Sequence, residues 1–241
     1  MEREYGEGYR DLFEKHWWWR ARTEYIIETL RRFQVPGGWT NILDVGCGDA
    51  LFFDRLAEFG DVEGVEPSQE LVNPNNPYRN GIHVCPFDES FQPGKKYSLI
   101  LMLDVLEHLE RPAAALKHAV DLLVAGGTFV ATVPAFMVLW TNHDVLNQHR
   151  IRYTKSTLRE QVKATGLKIE EERYLYHWTV PVKLGVRAAE RILHLRPRLP
   201  DAAGGWMNRI FYQISRLEQK TLSRLPMPFG SSLLVVGRKE T

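Results

Sequence analysis

The run Leu43-Asp44-Val45-Gly46-Cys47-Gly48-Asp49-Ala50 offers the first chemistry in this chain. Glycine accepts the backbone angles of a sharp turn and lets a ligand approach where a Cβ would collide. Glu66 follows Asp44 by 22 residues, at the end of a second apolar stretch. A carboxylate there can accept hydrogen bonds from both hydroxyls of a ribose. The pair points to a nucleoside ligand, either a dinucleotide such as NAD or S-adenosylmethionine. The dinucleotide fingerprint asks for a third glycine, so that the following helix can present its N-terminus to a pyrophosphate. That position is Leu51. S-adenosylmethionine has no phosphate and needs only the turn and the acid, so the residues favour it.

Three histidines are candidates for moving a proton: His108, His143 and His149. Neutral imidazole, with an ordinary pKa of about 6.5, suits deprotonation of a hydroxyl. His108 follows an apolar strand, where it serves equally well by bonding backbone. Asp144 beside His143 can fix a tautomer, although neighbours in sequence rarely bond each other. Arg150, Arg152 and Tyr153 are candidates for holding an anionic group. Cys47 and Cys85 have no partners at metal-ligand spacing and the eight histidines show no H-x-x-x-H pair, so no metal is expected.

These residues need a scaffold, and the chain alternates in a way that supplies one. Strands are predicted at Ile42–Val45, Val62–Val65, Ile82–Val84, Ser98–Leu103, Thr128–Val133, Leu167–Tyr176 and Ser231–Arg238. Between them come helices over Asp49–Phe59, from Pro112 to Gly126-Gly127, and over Thr157–Thr165. Strand–helix alternation at this spacing predicts an α/β, Rossmann-like, doubly wound sheet, mostly parallel with a C-terminal antiparallel strand. A helix over Tyr9–Phe33 precedes it, and the tryptophans at 17, 18 and 19 cannot all share one face.

The expected organisation is one domain over 1–241. It comprises a helical cap (1–38), the core (39–180 and 226–241) and a helical insertion (181–225) around Pro197, Pro200, Gly204 and Gly205. Lys183, Arg187 and Arg191 recur every fourth residue in the insertion, beside Leu184, Ala188, Ile192 and Leu195. Met207, Ile210, Phe211, Ile214 and Leu217 form an apolar face on its second helix. Two helices packed on the core with a solvated cationic side explain this pattern. A lid over an apolar or lipid-linked acceptor, or a peripheral membrane contact, explains it too.

Composition sets outer bounds. Of 241 residues, 44% are hydrophobic and 25% charged, as in a soluble globular domain. Lys+Arg is 31 against Asp+Glu 30, so no global field favours nucleic acid as a partner. A charged start and the absence of a long apolar run make the cytoplasm the expected location.

In LDVGCGDA (Leu43–Ala50), Glu66-Pro67, LMLDVLEHLERP (Leu101–Pro112), GGTFVATVPA (Gly126–Ala135) and HRIRYT (His149–Thr154), the sequence resembles the class I S-adenosylmethionine-dependent methyltransferases. Within them it is similar to the branch holding ubiquinone- and menaquinone-biosynthesis enzymes. HWWWRAR (His16–Arg22) looks like the aromatic-arginine lead-in of some members.

The resemblance implies that Gly46, Cys47 and Gly48 line the methionine part of the cofactor, with Asp44 orienting the loop. It implies that Glu66, with Pro67, holds the ribose. Phe87 and Asp88 would flank the adenine, with Asp88 accepting from its amino group. Leu103 and Asp104 would lie near the sulfonium, and Arg20 or Arg22 would meet the carboxylate. Two departures stand out: Ser98 replaces a common Asp, and the Cys85–Pro93 loop aligns irregularly. The expected reaction is methyl transfer to a small-molecule acceptor, by preference a hydroxyl, leaving S-adenosylhomocysteine. An NAD-type oxidoreductase and a non-catalytic cofactor-binding module are the alternatives.

Overall fold

A computed structural model describes residues 10–196, 205–222 and 225–240. Its centre is a seven-stranded sheet in the order β3-β2-β1-β4-β5-β7-β6. The strands are β1 (Asn41–Val45), β2 (Asp61–Val65), β3 (Ile82–His83), β4 (Tyr97–Leu103), β5 (Leu123–Pro134), β6 (Leu167–Leu175) and β7 (Ser232–Lys239). Strands β1 to β5 pair in parallel, and β7 runs antiparallel to both β5 and β6. The chain order reverses between β1 and β4, and this switch point opens a crevice beyond the carboxyl ends of the strands.

Side chains alternate across each strand, so one apolar run feeds two cores. Ile100 and Met102 of β4 join Leu43, Phe129 and Leu233 on one face. Leu99, Leu101 and Leu103 join Ile42, Val130 and Leu234 on the other. The first face is covered by α3 (Pro112–Leu122) and α5 (Lys155–Ala164), through Leu116, Ala119, Leu158 and Val162, with the short α4 (Asn142–Leu146) between them in the chain. The second is covered by α1 (Trp17–Phe33), through Tyr25, Ile26 and Leu30. The insertion consists of α6 (Thr179–Ile192) and α7 (Gly205–Lys220), and α7 lies on α1 with Arg216 bonded to Glu28 at 2.8 Å.

Three predicted elements differ. Residues 10–15 are helical, but the chain breaks at His16, whose ring accepts the Trp18 N–H and caps α1. Tyr9, Pro197, Pro200 and Gly204 lie outside the described residues. The helix expected over Asp49–Phe59 shrinks to one turn, α2 (Phe53–Leu56). Gly48 and Ala50 both take left-handed φ angles, +54° each, and no helix runs through such residues. The helix opened by Pro112 ends at Leu122, before the two glycines, because the chain enters β5 at Leu123.

Candidate functional site

A cavity of about 730 Å³ fills the crevice at the carboxyl ends of β1, β2 and β4. Its floor begins where β1 ends. Gly46 turns the chain at φ +73°, and its N–H donates to Val65 O at 2.8 Å, tying the loop to β2. A Cβ on Gly46 would lie 2.6 Å from Val105 Cγ2, so this close approach needs glycine. Glu66 closes the loop from the other side. Its Oε2 accepts the Gly48 N–H at 3.0 Å and its Oε1 the Ser68 N–H at 2.9 Å. Each oxygen keeps a further lone pair for a ligand. Burial raises this carboxyl above its ordinary value, and the two amides oppose that rise.

Asp44 lies beneath the loop, 5% exposed, and does not line the cavity. Burial pushes its carboxyl up to about 7, with Arg22 pulling the other way. Burial likewise pushes the Cys47 thiol up, which leaves it protonated and unreactive.

Strand β4 ends at Leu103, and Asp104 follows at φ +58°, a strained backbone for a residue with a Cβ. The Asp104 N–H donates to Thr132 O at 2.9 Å, and Arg22 Nε meets its Oδ2 at 2.6 Å. The Arg22 guanidinium lies 5.6 and 5.3 Å from the rings of Trp18 and Trp19. Trp17, Trp18 and Trp19 all reach the cavity wall, while Trp17 also packs on Trp178, just before α6, and on Phe211 of α7.

The three candidate histidines converge on the far wall. The rings of His108 and His149 are 4.8 Å apart and nearly perpendicular, and His143 is 6.4 Å from His149. Burial pushes both His108 and His143 down to about 4, so each is neutral at pH 7. Asp144 bonds not its neighbour His143 but His149 Nδ1, at 2.8 Å. It also takes a forked pair from Arg152, at 2.8 and 2.9 Å, and the Thr141 N–H at 2.8 Å. Those bonds outweigh burial and hold the Asp144 carboxyl below the usual range.

Some of the expected site residues lie away from this cavity. Arg20 lies outside the cavity, with its guanidinium 4.3 Å from the Tyr212 ring. Residues two apart on a helix point to different sides, so only Arg22 turns toward the site, and it stops behind Asp104. Asp88 is exposed and bonds Ser90 in a tight turn, at 2.9 Å to its N–H and 2.6 Å to its hydroxyl. That bonding turns it away from the cavity, which Phe87 lines instead.

Arg150, Arg152 and Tyr153 are engaged within the protein, and Arg152 also lines the cavity. Arg150 donates to His108 O and Glu110, Arg152 to Asp144 and Ala135 O, and Tyr153 to Leu106 O. They lace this segment to the turn holding His108. The basic stripe also splits. Arg187 donates to the carbonyls of Met137, Val138 and Trp140, whereas Lys183 enters the cavity wall. Burial lowers the Lys183 amine to about 8, with Arg152 adding to the effect.

Sequence reasoning missed Arg10 and Glu107 and read Lys183 only as part of a basic stripe, and all three line the cavity. Arg10 forms an ion pair with Asp49 at the loop. Lone charges in helices carry no local signal, and only the fold brings them here. Glu107 stood inside a quoted motif, beside His108, and its burial alone would have marked it.

The description "Methyltransferase domain" fits residues 18–172 of the chain. A ubiquinone biosynthesis O-methyltransferase of Bradyrhizobium diazoefficiens is 28% identical over 109 residues, 43% of this chain and 43% of that protein. One from Rickettsia canadensis is 24% identical over 202 residues, 69% of this chain and 85% of that protein. The chain thus spans under half of the first relative and most of the second. The fold is similar to that of the N-methyltransferase NodS of Bradyrhizobium japonicum WM9, solved with S-adenosylhomocysteine. That likeness has TM-score 0.58 and 14% identity, over 95% of this chain and 91% of the other.

Proposed function

The chain belongs to the methyltransferase-domain family, the class I S-adenosylmethionine-dependent enzymes, and from that premise we propose that it methylates a hydroxyl of a small-molecule acceptor. The observation that carries the reading is one cavity holding both a glycine loop pinned by Glu66 and a wall of histidines. Bound S-adenosylmethionine supplies the electrophilic methyl group. A Cβ on Gly48 would meet nothing within 4 Å, so the loop beside Glu66 is open to a ligand. Glu66 would accept the ribose hydroxyls, Phe87 would flank the base, and Gly46 to Gly48 with Asp104 would meet the amino-acid end. Arg10 would take the carboxylate role first read at Arg20 or Arg22. A dinucleotide fits less well, because the helix after the loop is one turn long and Leu51 stands at the wall.

Methyl transfer from a sulfonium is an in-line displacement, so the protein's work is positioning and proton removal. The cavity would hold the acceptor hydroxyl between the glycine loop and the histidine wall. The hydroxyl proton passes to an imidazole of the wall, and His143 is neutral and able to take it. Lys183 lies where an anionic group of the acceptor would sit. The O-methyltransferase names of the relatives support oxygen as the acceptor atom.

The acceptor is apolar or lipid-linked in this reading. Val182, Leu184 and Val186 of α6 are exposed, as are Met137 and Val138 of the loop that Arg187 bonds, and Val186 lines the cavity. We assign the described residues to one domain in which α6 and α7 form the lid. No helix among the described residues is long and apolar enough to cross a membrane. Calorimetric titration with S-adenosylhomocysteine, with NADH as control, tests the cofactor, and labelled S-adenosylmethionine then screens hydroxylated apolar acceptors. Binding of NADH alone overturns the reading. Flotation with anionic vesicles tests the membrane contact.

A further inference from the structure

Helix α6 turns one charged side chain into the cavity. Thr179, Lys183 and Val186 follow one another at helical spacing along a single face, and all three line the wall. The Thr179 hydroxyl is engaged with Tyr176 O and the Ser231 hydroxyl, both at 2.7 Å. Val186 is apolar. Lys183 makes no hydrogen bond or ion pair with any of the described residues.

The other charges around it are already matched. Asp104 pairs with Arg22 at 2.6 Å, and Asp144 pairs with Arg152 and with His149, each at 2.8 Å. Burial and the Asp104 charge push the Glu107 carboxyl well above its ordinary value, so it keeps its proton. Burial holds His108 and His143 neutral. Arg10 stands by the glycine loop and pairs with Asp49. Each ionised acid of the far wall thus has its own arginine, and the Lys183 ammonium is the surplus cation among the described residues. A partly buried ammonium lacking a counter-ion is costly, and an anion carried in by a ligand relieves that cost.

Lys183 is also held in place. One turn on, Arg187 donates to the carbonyls of Met137, Val138 and Trp140 at 2.8, 2.9 and 3.3 Å. Further along, Glu190 accepts the Asn142 N–H at 3.1 Å. These bonds fasten α6 to the segment that carries His143, so the ammonium and the neutral imidazole keep one geometry.

Resting on the methyl-transfer reading above, we propose that the acceptor is a hydroxy acid: Lys183 binds its carboxylate while its hydroxyl meets the histidine wall. One amine, with Arg152 already forked onto Asp144, suits a single negative charge better than the two of a phosphate. Lys183 sets specificity, and the proton step stays with His143. Burial and Arg152 lower the amine to about 8, with Asp144 and Asp104 opposing. The cation is present below that pH and is lost as pH rises through it, so affinity for the acid falls on the alkaline side. A bound carboxylate moves the loss to higher pH.

The test uses the full chain loaded with S-adenosylhomocysteine, its lysines carrying isotope-labelled methyl groups for NMR. Lys183→Met assigns the Lys183 signal. The probes are salicylate and 3-hydroxydecanoate, each beside its neutral amide. The acids are expected to shift the Lys183 signal and raise its titration midpoint, and the amides to do neither. Labelled S-adenosylmethionine then measures methyl transfer to the same four compounds. Lys183→Met should raise KM for an acid by about 10- to 100-fold, as for loss of one charged hydrogen bond, with kcat little changed. Lys183→Arg should recover most of that loss, and KM for the amides should stay level in both variants. S-adenosylhomocysteine affinity, measured on each variant, reports the fold. Acids that shift the Lys183 signal but accept no methyl group sink the methyl-transfer reading and this acceptor with it. Equal methylation of acid and amide, or a preference for acid that survives Lys183→Met, overturns the hydroxy-acid assignment alone. So does a Lys183 signal that neither acid moves at millimolar concentration.

Discussion

Replacing Glu66 by Gln tests the cofactor site at its most constrained residue. Each carboxylate oxygen already accepts one backbone amide, Gly48 at 3.0 Å and Ser68 at 2.9 Å, and has a lone pair left for a ribose hydroxyl. Gln keeps the shape but turns one oxygen into a donor. One amide N–H then faces an NH₂, and one hydroxyl loses its acceptor. Hydrogen bonds to a charged group contribute about 1.5–3 kcal/mol, so S-adenosylhomocysteine should bind about 10- to 150-fold more weakly. The unpaired amide should also cost about 1–3 kcal/mol of stability, lowering the melting temperature by roughly 2–12 °C in a chain this size. Calorimetric titration gives the first quantity and thermal unfolding the second. A folded Glu66→Gln protein that binds S-adenosylhomocysteine within twofold of wild type would refute the assignment. Glu66→Ala should lower affinity at least as far.

Asp44 makes stability depend on pH. Its carboxyl is raised from 3.8 to about 7 on folding, so the folded state holds the proton more tightly. Stability from this group is present below pH 4 and is lost as pH rises through 7, by up to about 4 kcal/mol. Asp44→Asn should flatten that fall, and equal urea midpoint shifts from pH 5 to pH 8 in both proteins would sink the argument. Arg152→Ala should cost about 3–5 kcal/mol in denaturant unfolding, because it strands the buried Asp144, whose side chain is 0% exposed. Gly46→Ala should lose S-adenosylhomocysteine binding and about 1–3 kcal/mol of stability, from the φ of +73° and the contact with Val105. Adding Val105→Ala should recover only the part due to the contact, and full recovery would remove the backbone from the account.

The sheet was legible because its signals are local. A strand buried on both faces reads as an unbroken apolar run, as at Ser98–Leu103, and a glycine turn reads as glycine at Gly46 and Gly48. Glu66 was legible for the same reason, since its place at a strand end follows from counting. The helix over Asp49–Phe59 was not, because Ala50 adopts a left-handed φ of +54° that no propensity forbids or announces.

Side-chain direction was beyond the sequence as well. Arg20 and Arg22 both lie in a helix that reads plainly, yet one stacks on Tyr212 and the other reaches Asp104. Asp88 differs from Phe87 only by which way a short turn faces.

The sequence by itself therefore determined the α/β architecture, the glycine loop and the acid at its side, since each depends on spacing along one segment. Tertiary structure alone decided that Asp144 serves His149 and not His143, that Arg150, Arg152 and Tyr153 brace the wall, and that Lys183 enters the cavity while Arg187 does not. It also set Glu107 and His108 against His149. Those outcomes depend on where separate segments meet, and residues far apart in the chain carry no mark of their meeting until the core has packed.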